Sequence, residues 1–528
     1  MRKKINLRTD VLKLARQLQS LYEDSSDPEA RRKRGQVFTP PEICRFMASL
    51  LTIRPYRPFK LLDPGAGLGQ LSAAVCERFC SLNSPHHLEI DLYETDQSII
   101  SPLAEVMENC RKEMKKAGHI LNYKIHRKDF ILSTIEHGKG LPLFDSNDTG
   151  ANKYDAVIMN PPYFKLPGNS KAAVALKDVV HGQPNIYALF MAAAAEQLKD
   201  GGELVAITPR SFSNGLYFRH FRMWFFKRMQ LTRAHLFHSR KEAFKEAKIL
   251  QESLITLTRK GNRPSRIVTL SFSVGRTDLP ESTEIRLPSS KIIDSRNNDT
   301  VIRFPESVLD AEIIDIVEGW KHTASEIGLR VSTGPVVSFR ARKFLIYESE
   351  DPTDVPLIHV GNVKPNNTVW PLPQNGKPTV FRLTNDSRSL ILPTRNYVLI
   401  RRFSAKEEKK RLTASPFLRS HFKGEFVALE NHLNYVYHCE RELSEEETIG
   451  LSAIYNSNVM DRYFRTISGN TQVNATELRT MPLPNLSLVE IIGRRILKDH
   501  KRKNPEAIVL DTLKISRTLS TTALEHSN

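Results

Sequence analysis

Between Phe59 and Lys260 the chain repeats one pattern: a short apolar run, a turn, then a longer stretch of helical character. The runs are FKLLD (59–63), LEIDLYE (88–94), NYKIHRKD (122–129), DAVIMN (155–160), ELVAIT (203–208), RAHLF (233–237) and SLITLTRK (253–260). Helical candidates such as QLSAAVCERFC and IYALFMAAAAEQLKDGG lie between them, the second closing on Gly201 and Gly202 as a stop signal. Strands that alternate with helices settle into a largely parallel sheet covered on both faces. The expected fold class is therefore α/β, a doubly wound Rossmann-like sheet.

Ligands of such sheets sit outside the carboxyl ends of the strands, so the residues at those ends carry the chemistry. LLDPGAGLGQLSAAV (61–75) places Gly65, Gly67 and Gly69 between the first strand and its helix. Missing side chains there let the backbone turn tightly and approach a ligand. The spacing differs from the G-x-G-x-x-G of dinucleotide sites, and Asp63 stands ahead of the loop. A carboxylate at that point repels pyrophosphate and suits a ligand with an ammonium group. S-adenosylmethionine has such an amino acid end and no phosphate. The second strand ends in LYETD, where Glu94, rather than Asp96, is expected to accept from both ribose hydroxyls. The third ends at Asp129-Phe130, a carboxylate for the cofactor's adenine amino group and a ring to cover it. Upstream, GQVFTPPEICRFMASLL (35–51) reads as a helix opening at Pro40-Pro41, with Thr39 as its cap and Glu42 in the first turn. The free N–H groups of that helix start suit the methionine carboxylate.

The fourth run ends unusually, in YDAVIMNPPYFK (154–165). Prolines stop a strand because they lack the donor that a ladder needs. After Met159 come one amide, two stiff carbonyls and an aromatic ring. An adenine amino group is a poor nucleophile because its lone pair is delocalised into the ring. Two acceptors around its N–H bonds, the Asn160 side-chain oxygen and the Pro161 carbonyl, draw it toward a tetrahedral arrangement without a general base. Pro162 stiffens the turn, and Tyr163 offers a face for an extruded base. Duplex DNA hides this amine in a stacked pair, so the base has to be flipped out.

The order GQVFTPPEI, DPGAGLG, NPPY and then a large C-terminal region resembles the amino-methylating DNA methyltransferases of restriction–modification systems. It matches their γ arrangement, typified by the TaqI enzyme, in which target recognition follows catalysis. RRKRGQVFTPPEICRFMASL, VSTGPVVSFR and YVLIRRFSAKEEKKRL are most similar to the PstI/BsuBI-type adenine methyltransferases of type II systems. The resemblance covers roughly residues 30 to 485. It implies a methyltransferase sheet followed by a C-terminal α+β target recognition domain. It also implies that Thr39, Asp63, Gly65, Gly67, Glu94, Asp129 and Phe130 hold S-adenosylmethionine, and that Asn160, Pro161, Pro162 and Tyr163 hold the target amine. In the family an aromatic residue after the strand RAHLF sandwiches the flipped base; Phe244 in AFKEAKILQESLITL matches it. Asn185 in HGQPNIYALFMAAA matches a residue that shapes the pocket and starts the next helix.

Charge bears on the partner. Lys plus Arg exceeds Asp plus Glu by 77 − 59 = 18, an excess that fits a polyanion, with double-stranded DNA the expected one. RRFSAKEEKKR (401–411) has six basic residues against two acids, and Arg401, Arg402 and Lys406 are the expected phosphate contacts. ISGNTQVNATELRTMPLP (467–484) places Gly469 and Asn470 in a turn and Asn474 at a helix cap. Five scattered cysteines, Cys44, Cys76, Cys80, Cys110 and Cys439, complete no zinc pattern and read as reduced thiols of a cytoplasmic protein. No metal is expected, and no apolar run reaches the length of a membrane span. The N-terminal stretch lacks the apolar core of a signal peptide and reads as an amphipathic helix with Leu14, Leu18 and Leu21 on one face.

The expected organisation is an N-terminal helical segment (1–34), a catalytic domain (35–262), a polar, proline-containing connection (263–300) and a recognition domain (301–528). With 34 residues ahead of GQVFTP and no nuclease constellation in view, a monomeric methyltransferase with a separate cognate endonuclease is expected. Cytosine-C5 methylation needs a cysteine nucleophile, usually after proline, and no Pro-Cys occurs. The alternatives kept open are N4-cytosine methylation and N-methylation of RNA or of protein glutamine.

Overall fold

The computed structural model describes residues 11–54, 57–137, 154–239, 242, 252–295, 299–372, 376–404, 408–469, 471–499, 504–516 and 518–521. The chain divides into two compact units, Met1–Glu306 and Ser307–Asn528.

In the first unit nine strands of the described residues form one sheet: β1 (Phe59–Asp63), β2 (His87–Tyr93), β3 (Ile120–His126), β4 (Tyr154–Met159), β5 (Leu198–Pro209), β6 (Met229–Phe237), β7 (Ser253–Lys260), β8 (Ile267–Ser273) and β9 (Thr283–Pro288). Their order is β3-β2-β1-β4-β5-β7-β6-β8-β9. The β3 to β5 half is parallel, whereas β7 runs antiparallel to both β5 and β6. Every run read as a strand is one. All six residues of β4 are buried, as a central strand covered on both faces requires. Among the described residues the helices longer than one turn are α1 (Leu12–Ser25), α2 (Pro28–Lys33), α3 (Pro41–Leu50), α4 (Gln70–Cys80), α5 (Gln97–Lys116), α6 (Phe130–His137), α7 (Lys171–Ala175), α8 (Ile186–Gln197) and α9 (Arg219–Phe226). One core cluster joins Leu12 and Ala15 of α1, Ile43 and Met47 of α3, Ala74 and Phe79 of α4 and the inward residues of β1 and β2.

Three local expectations are corrected. The stretch 263–300, read as a connection, carries β8 and β9 of the same sheet and Ile293–Asp294, which pairs with Val301–Ile302 just beyond it. β9 is largely solvent-exposed, so its sequence is polar and gives no apolar period. Helix α8 stops at Gln197, ahead of the two glycines; Gly201, at φ +73°, lies where β5 shifts register against β4. On α1, Leu14 and Leu18 pack against the core, but Leu21 is 65% exposed.

The second unit is α+β. An antiparallel sheet has the order 329–333, 433–438, 397–401, 414–417, and a second sheet of short strands contains 355–358 and 426–429. Helices Glu445–Asn456 and Leu486–Lys498 pack closely. A Cβ on Gly450 would lie 2.0 Å from the Val489 carbonyl oxygen, and one on Gly493 1.8 Å from that of Glu446, so only glycine permits this approach. Asn474 caps Ala475–Thr480, its backbone N–H donating to Glu477 Oε2 at 3.0 Å. All five cysteines are unbridged.

Candidate active site

β1 lies between β2 and β4, pairing with β4 through Leu61–Ala156 and Leu62–Val157. The chain leaves β1 toward one side of the sheet and returns on the other, so this is the switch point where open α/β sheets hold ligands. Asp63 ends β1 and Asn160 follows β4, which brings the two loops read from the sequence side by side.

Asn160 is held by residues far away in the chain. Its Nδ2 donates to the Val37 carbonyl at 3.0 Å and to Thr39 Oγ1 at 2.9 Å. A carbonyl can only accept, so the amide orientation is set and Oδ1 faces the other way. The sequence places Thr39 as a helix cap and a cofactor contact. Helix α3 instead has Pro40 at its N-cap, without a side-chain bond, and buried Thr39 is bonded to Asn160. Gly35 explains how this strap reaches the catalytic loop: at φ +62°, its Cβ position is 3.0 Å from Tyr163 N and from Phe164 Cδ1. Phe38 of the same strap lies 3.4 Å from the Cβ position of Gly67.

Pro161 is buried, Pro162 and Tyr163 half-buried. The Tyr163 hydroxyl meets Asn160 Oδ1 in a short hydrogen bond and the Ile207 carbonyl at 2.9 Å. One proton serves only one of these acceptors at a time. Burial raises the Tyr163 phenol well above its ordinary range, so the group stays a donor. The loop beyond is fastened to the start of α8, with Ile186 N donating to Phe164 O at 2.9 Å and Leu166 N to Pro184 O at 2.8 Å. Asn185 caps α8, accepting from Tyr187 N.

On the other loop, Gly67 and Gly69 take φ of +54° and +79°, which side-chain-bearing residues rarely adopt. Gly67 N donates to Glu94 Oε2 at 3.0 Å, while Thr95 N and Asp96 N donate to Oε1. Burial raises the Glu94 pKa against these three bonds. Asp63 is fully buried; Oδ2 accepts from Ser72 Oγ at 2.7 Å, and Oδ1 has no hydrogen bond among the described residues. Burial pushes its carboxyl up to about 7, with the Ser72 bond opposing and Glu94 adding. An orphaned buried oxygen beside a backbone cradle fits the ammonium end of S-adenosylmethionine. Phe130 is buried between Tyr93 and Phe190, at centroid distances of 5.3 and 5.7 Å, and Gly65 lies 3.8 Å below Phe190 by its Cβ position. Asp129 caps α6, its Oδ1 accepting from Leu132 N at 2.8 Å.

Phe244 and Lys406 lie outside the described residues. Arg401 donates Nε and Nη2 to the Val363 carbonyl, at 2.9 and 2.7 Å, and Arg402 donates to Asn431 O and Gln472 Oε1. Both guanidinium groups thus brace their own unit. Sequence reasoning missed Val37 and Ile207, which act through backbone carbonyls and leave no residue-type signal. It also missed Ser72 and Tyr187; Ser72 is the one hydroxyl in an apolar helix opening, a signal that was present.

A class I methyltransferase sheet with an Asn-Pro-Pro-Tyr loop beside an acid-flanked glycine loop defines an amino-directed, S-adenosylmethionine-dependent methyltransferase. Residues 67–244 match the family described as Eco57I restriction-modification methylase. The type II methyltransferase M.PstI of Providencia stuartii is 34% identical over 470 residues, covering 89% of this chain and 90% of that protein. M.BsuBI of Bacillus subtilis is 32% identical, covering 88% and 90%. Among solved structures, the type IIL restriction-modification enzyme MmeI in complex with DNA shares the fold at 12% identity and a TM-score of 0.53, covering 97% of this chain and 75% of MmeI. The chain belongs to the type II restriction–modification methyltransferases.

Proposed function

We propose that Asn160 and Pro161 receive the target amine of a flipped adenine on Tyr163, and that Asp63, Glu94, Asp129 and Phe130 hold the cofactor. The chain is a site-specific DNA adenine-N6 methyltransferase of a restriction–modification system and uses S-adenosylmethionine. The observation that carries the site reading is the clamped Asn160 amide, whose two protons are taken by Val37 O and Thr39 Oγ1. Its oxygen is thereby presented to a donor from outside. When the amine arrives, the Tyr163 hydroxyl keeps Ile207 O as its acceptor, releasing a lone pair of Asn160 Oδ1. Together with the Pro161 carbonyl, this aims two fixed dipoles at the N–H bonds and localises the nitrogen lone pair. Bound S-adenosylmethionine supplies an electrophilic methyl group. Gly65 and Gly67 line the cofactor loop, Pro162 stiffens the catalytic one, and Phe244 is the candidate for the second face of the base. Arg401, Arg402 and Lys406 are the proposed phosphate contacts, acting beside the bracing bonds of the first two.

The proposal extends to a cytoplasmic, monomeric enzyme whose mark protects the site from a separate endonuclease, with catalysis in the first unit and target recognition in the second. The test is incubation of tritiated S-adenosylmethionine with adenine-containing duplex DNA, followed by nucleoside analysis. Label in N6-methyladenine is expected; label in N4-methylcytosine, or only in RNA or protein, overturns the reading.

A further inference from the structure

We propose that Leu216 and Tyr217 form a wedge that enters the target duplex and fills the gap left by the flipped adenine. This rests on the reading of Asn160 to Tyr163 as the target-amine site.

Leu216–Phe218 is a single 3-10 turn. Leu216 is 59% exposed and Tyr217 74%, while Phe218 turns inward. The Phe218 ring stacks on Tyr187 at 5.3 Å and 24°, and Tyr187 meets Tyr163 edge-on at 6.1 Å and 87°. The root of the turn is therefore two rings from the proposed base platform. The turn is also fixed from below. Arg222, fully buried, donates Nη1 to Phe212 O at 3.0 Å and to Gly215 O at 2.6 Å, and pairs through Nη2 with both oxygens of Asp299. A rigid loop that lifts an aliphatic and an aromatic side chain into solvent beside a catalytic mouth contributes little to folding.

The surroundings favour DNA as the occupant. Lys165, two residues beyond Tyr163, holds its ammonium 5.8 Å over the Tyr217 ring. Lys165, Lys171, His181 and His220 are exposed, and the two histidines stack at 5.4 Å. The two lysine ammonium groups put cations where phosphates flank an opened step, and the turn puts an apolar tip where a base is missing. Proteins that distort duplexes insert apolar side chains between base steps in this way, and extrusion of a paired base leaves unstacked neighbours that such a side chain covers.

The test compares the full-length L216A/Y217A double variant with the unaltered enzyme under single-turnover conditions. Two duplexes carry the target site, mapped beforehand by the label taken up by defined DNA fragments, one fully paired and one abasic opposite the target adenine. The rate on the paired duplex is expected to fall about tenfold or more, and on the abasic duplex to stay within about threefold of the unaltered enzyme, because flipping there is less costly. Tyr217→Phe retains the paired-duplex rate. Equal losses on both duplexes, an unchanged paired-duplex rate, or dissociation of a dimer by the double variant overturns the wedge. Asn160→Ala serves as the separate check: turnover by that variant would remove the underlying site reading instead.

Discussion

Asn160 Nδ2 donates to Thr39 Oγ1 at 2.9 Å, across 121 residues of sequence. The amide proposed to hold the target amine is thus positioned by a strap that precedes the whole sheet. The same strap covers the cofactor loop through Phe38.

Thr39→Val keeps the shape and removes the acceptor. Losing one buried hydrogen bond, about 1 to 1.5 kcal/mol, predicts a fall in kcat of about tenfold. S-adenosylmethionine affinity, measured by calorimetry, stays within about twofold. If affinity drops while kcat holds, Thr39 serves the cofactor and not Asn160.

Asn160→Ala removes the proposed acceptor outright. By comparison with loss of a preorganised dipole elsewhere, single-turnover rates fall about 10² to 10³-fold, while calorimetry finds cofactor binding nearly unchanged. Full turnover would eliminate the polarising role.

For Tyr163 the ring and the hydroxyl separate cleanly. Tyr163→Phe keeps the platform and loses only the bond to Asn160 Oδ1 or Ile207 O, so kcat changes by less than about tenfold. Tyr163→Ala also loses stacking, worth about 1 to 3 kcal/mol, and falls further, with weaker fluorescence enhancement from 2-aminopurine at the target position. Equal effects of the two substitutions would mean that the ring does not stack on the base.

Asp63 sets a pH dependence. Its folded pKa of about 7 stands above the unfolded value of about 3.9, so the neutral carboxyl stabilises the free protein at low pH. That contribution is present below about 4 and lost as pH rises through about 7. Binding an ammonium requires the carboxylate, so cofactor affinity should climb with pH up to about 7. It should fall again above about 8, where an α-amino group deprotonates. Calorimetric titrations across pH check the curve, and Asp63→Asn should flatten its acid limb. An unchanged acid limb in that variant assigns it to another group.

Gly35→Ala tests the strap. A Cβ at φ +62° is strained and would press on Tyr163 N and Phe164, predicting a loss of about 1 to 2 kcal/mol in stability. Denaturant melts measure it, and kcat should fall as well. A neutral substitution would show that the strap yields without consequence.

The sheet is legible because buried strands advertise themselves as short apolar runs, and the loops because glycines, prolines and acids fall at strand ends. β9 is not: an edge strand with an exposed face is polar and looks like a connection, and it hides β8, an inner and mostly buried strand, among polar neighbours. Thr39 reads as a helix cap because Thr-Pro-Pro-Glu satisfies the local rule, and only the folded chain reveals its competing partner across the sheet. Arg401 and Arg402 read as free cations, while the structure gives part of each guanidinium to backbone carbonyls. A charge run in sequence does not distinguish these uses.

The strap from Gly35 to Thr39 touches Tyr163, Asn160 and Gly67 within five residues. Two loops proposed to serve different ligands therefore share one scaffold. A substitution that displaces the strap is felt at both loops. Asn160's partners, Val37, Thr39 and Tyr163, and the Ile207 carbonyl that accepts from Tyr163, all lie in the first unit. Every bond that orients the proposed acceptor is thus made inside the first unit, and a substitution in the second unit removes none of the groups that make them.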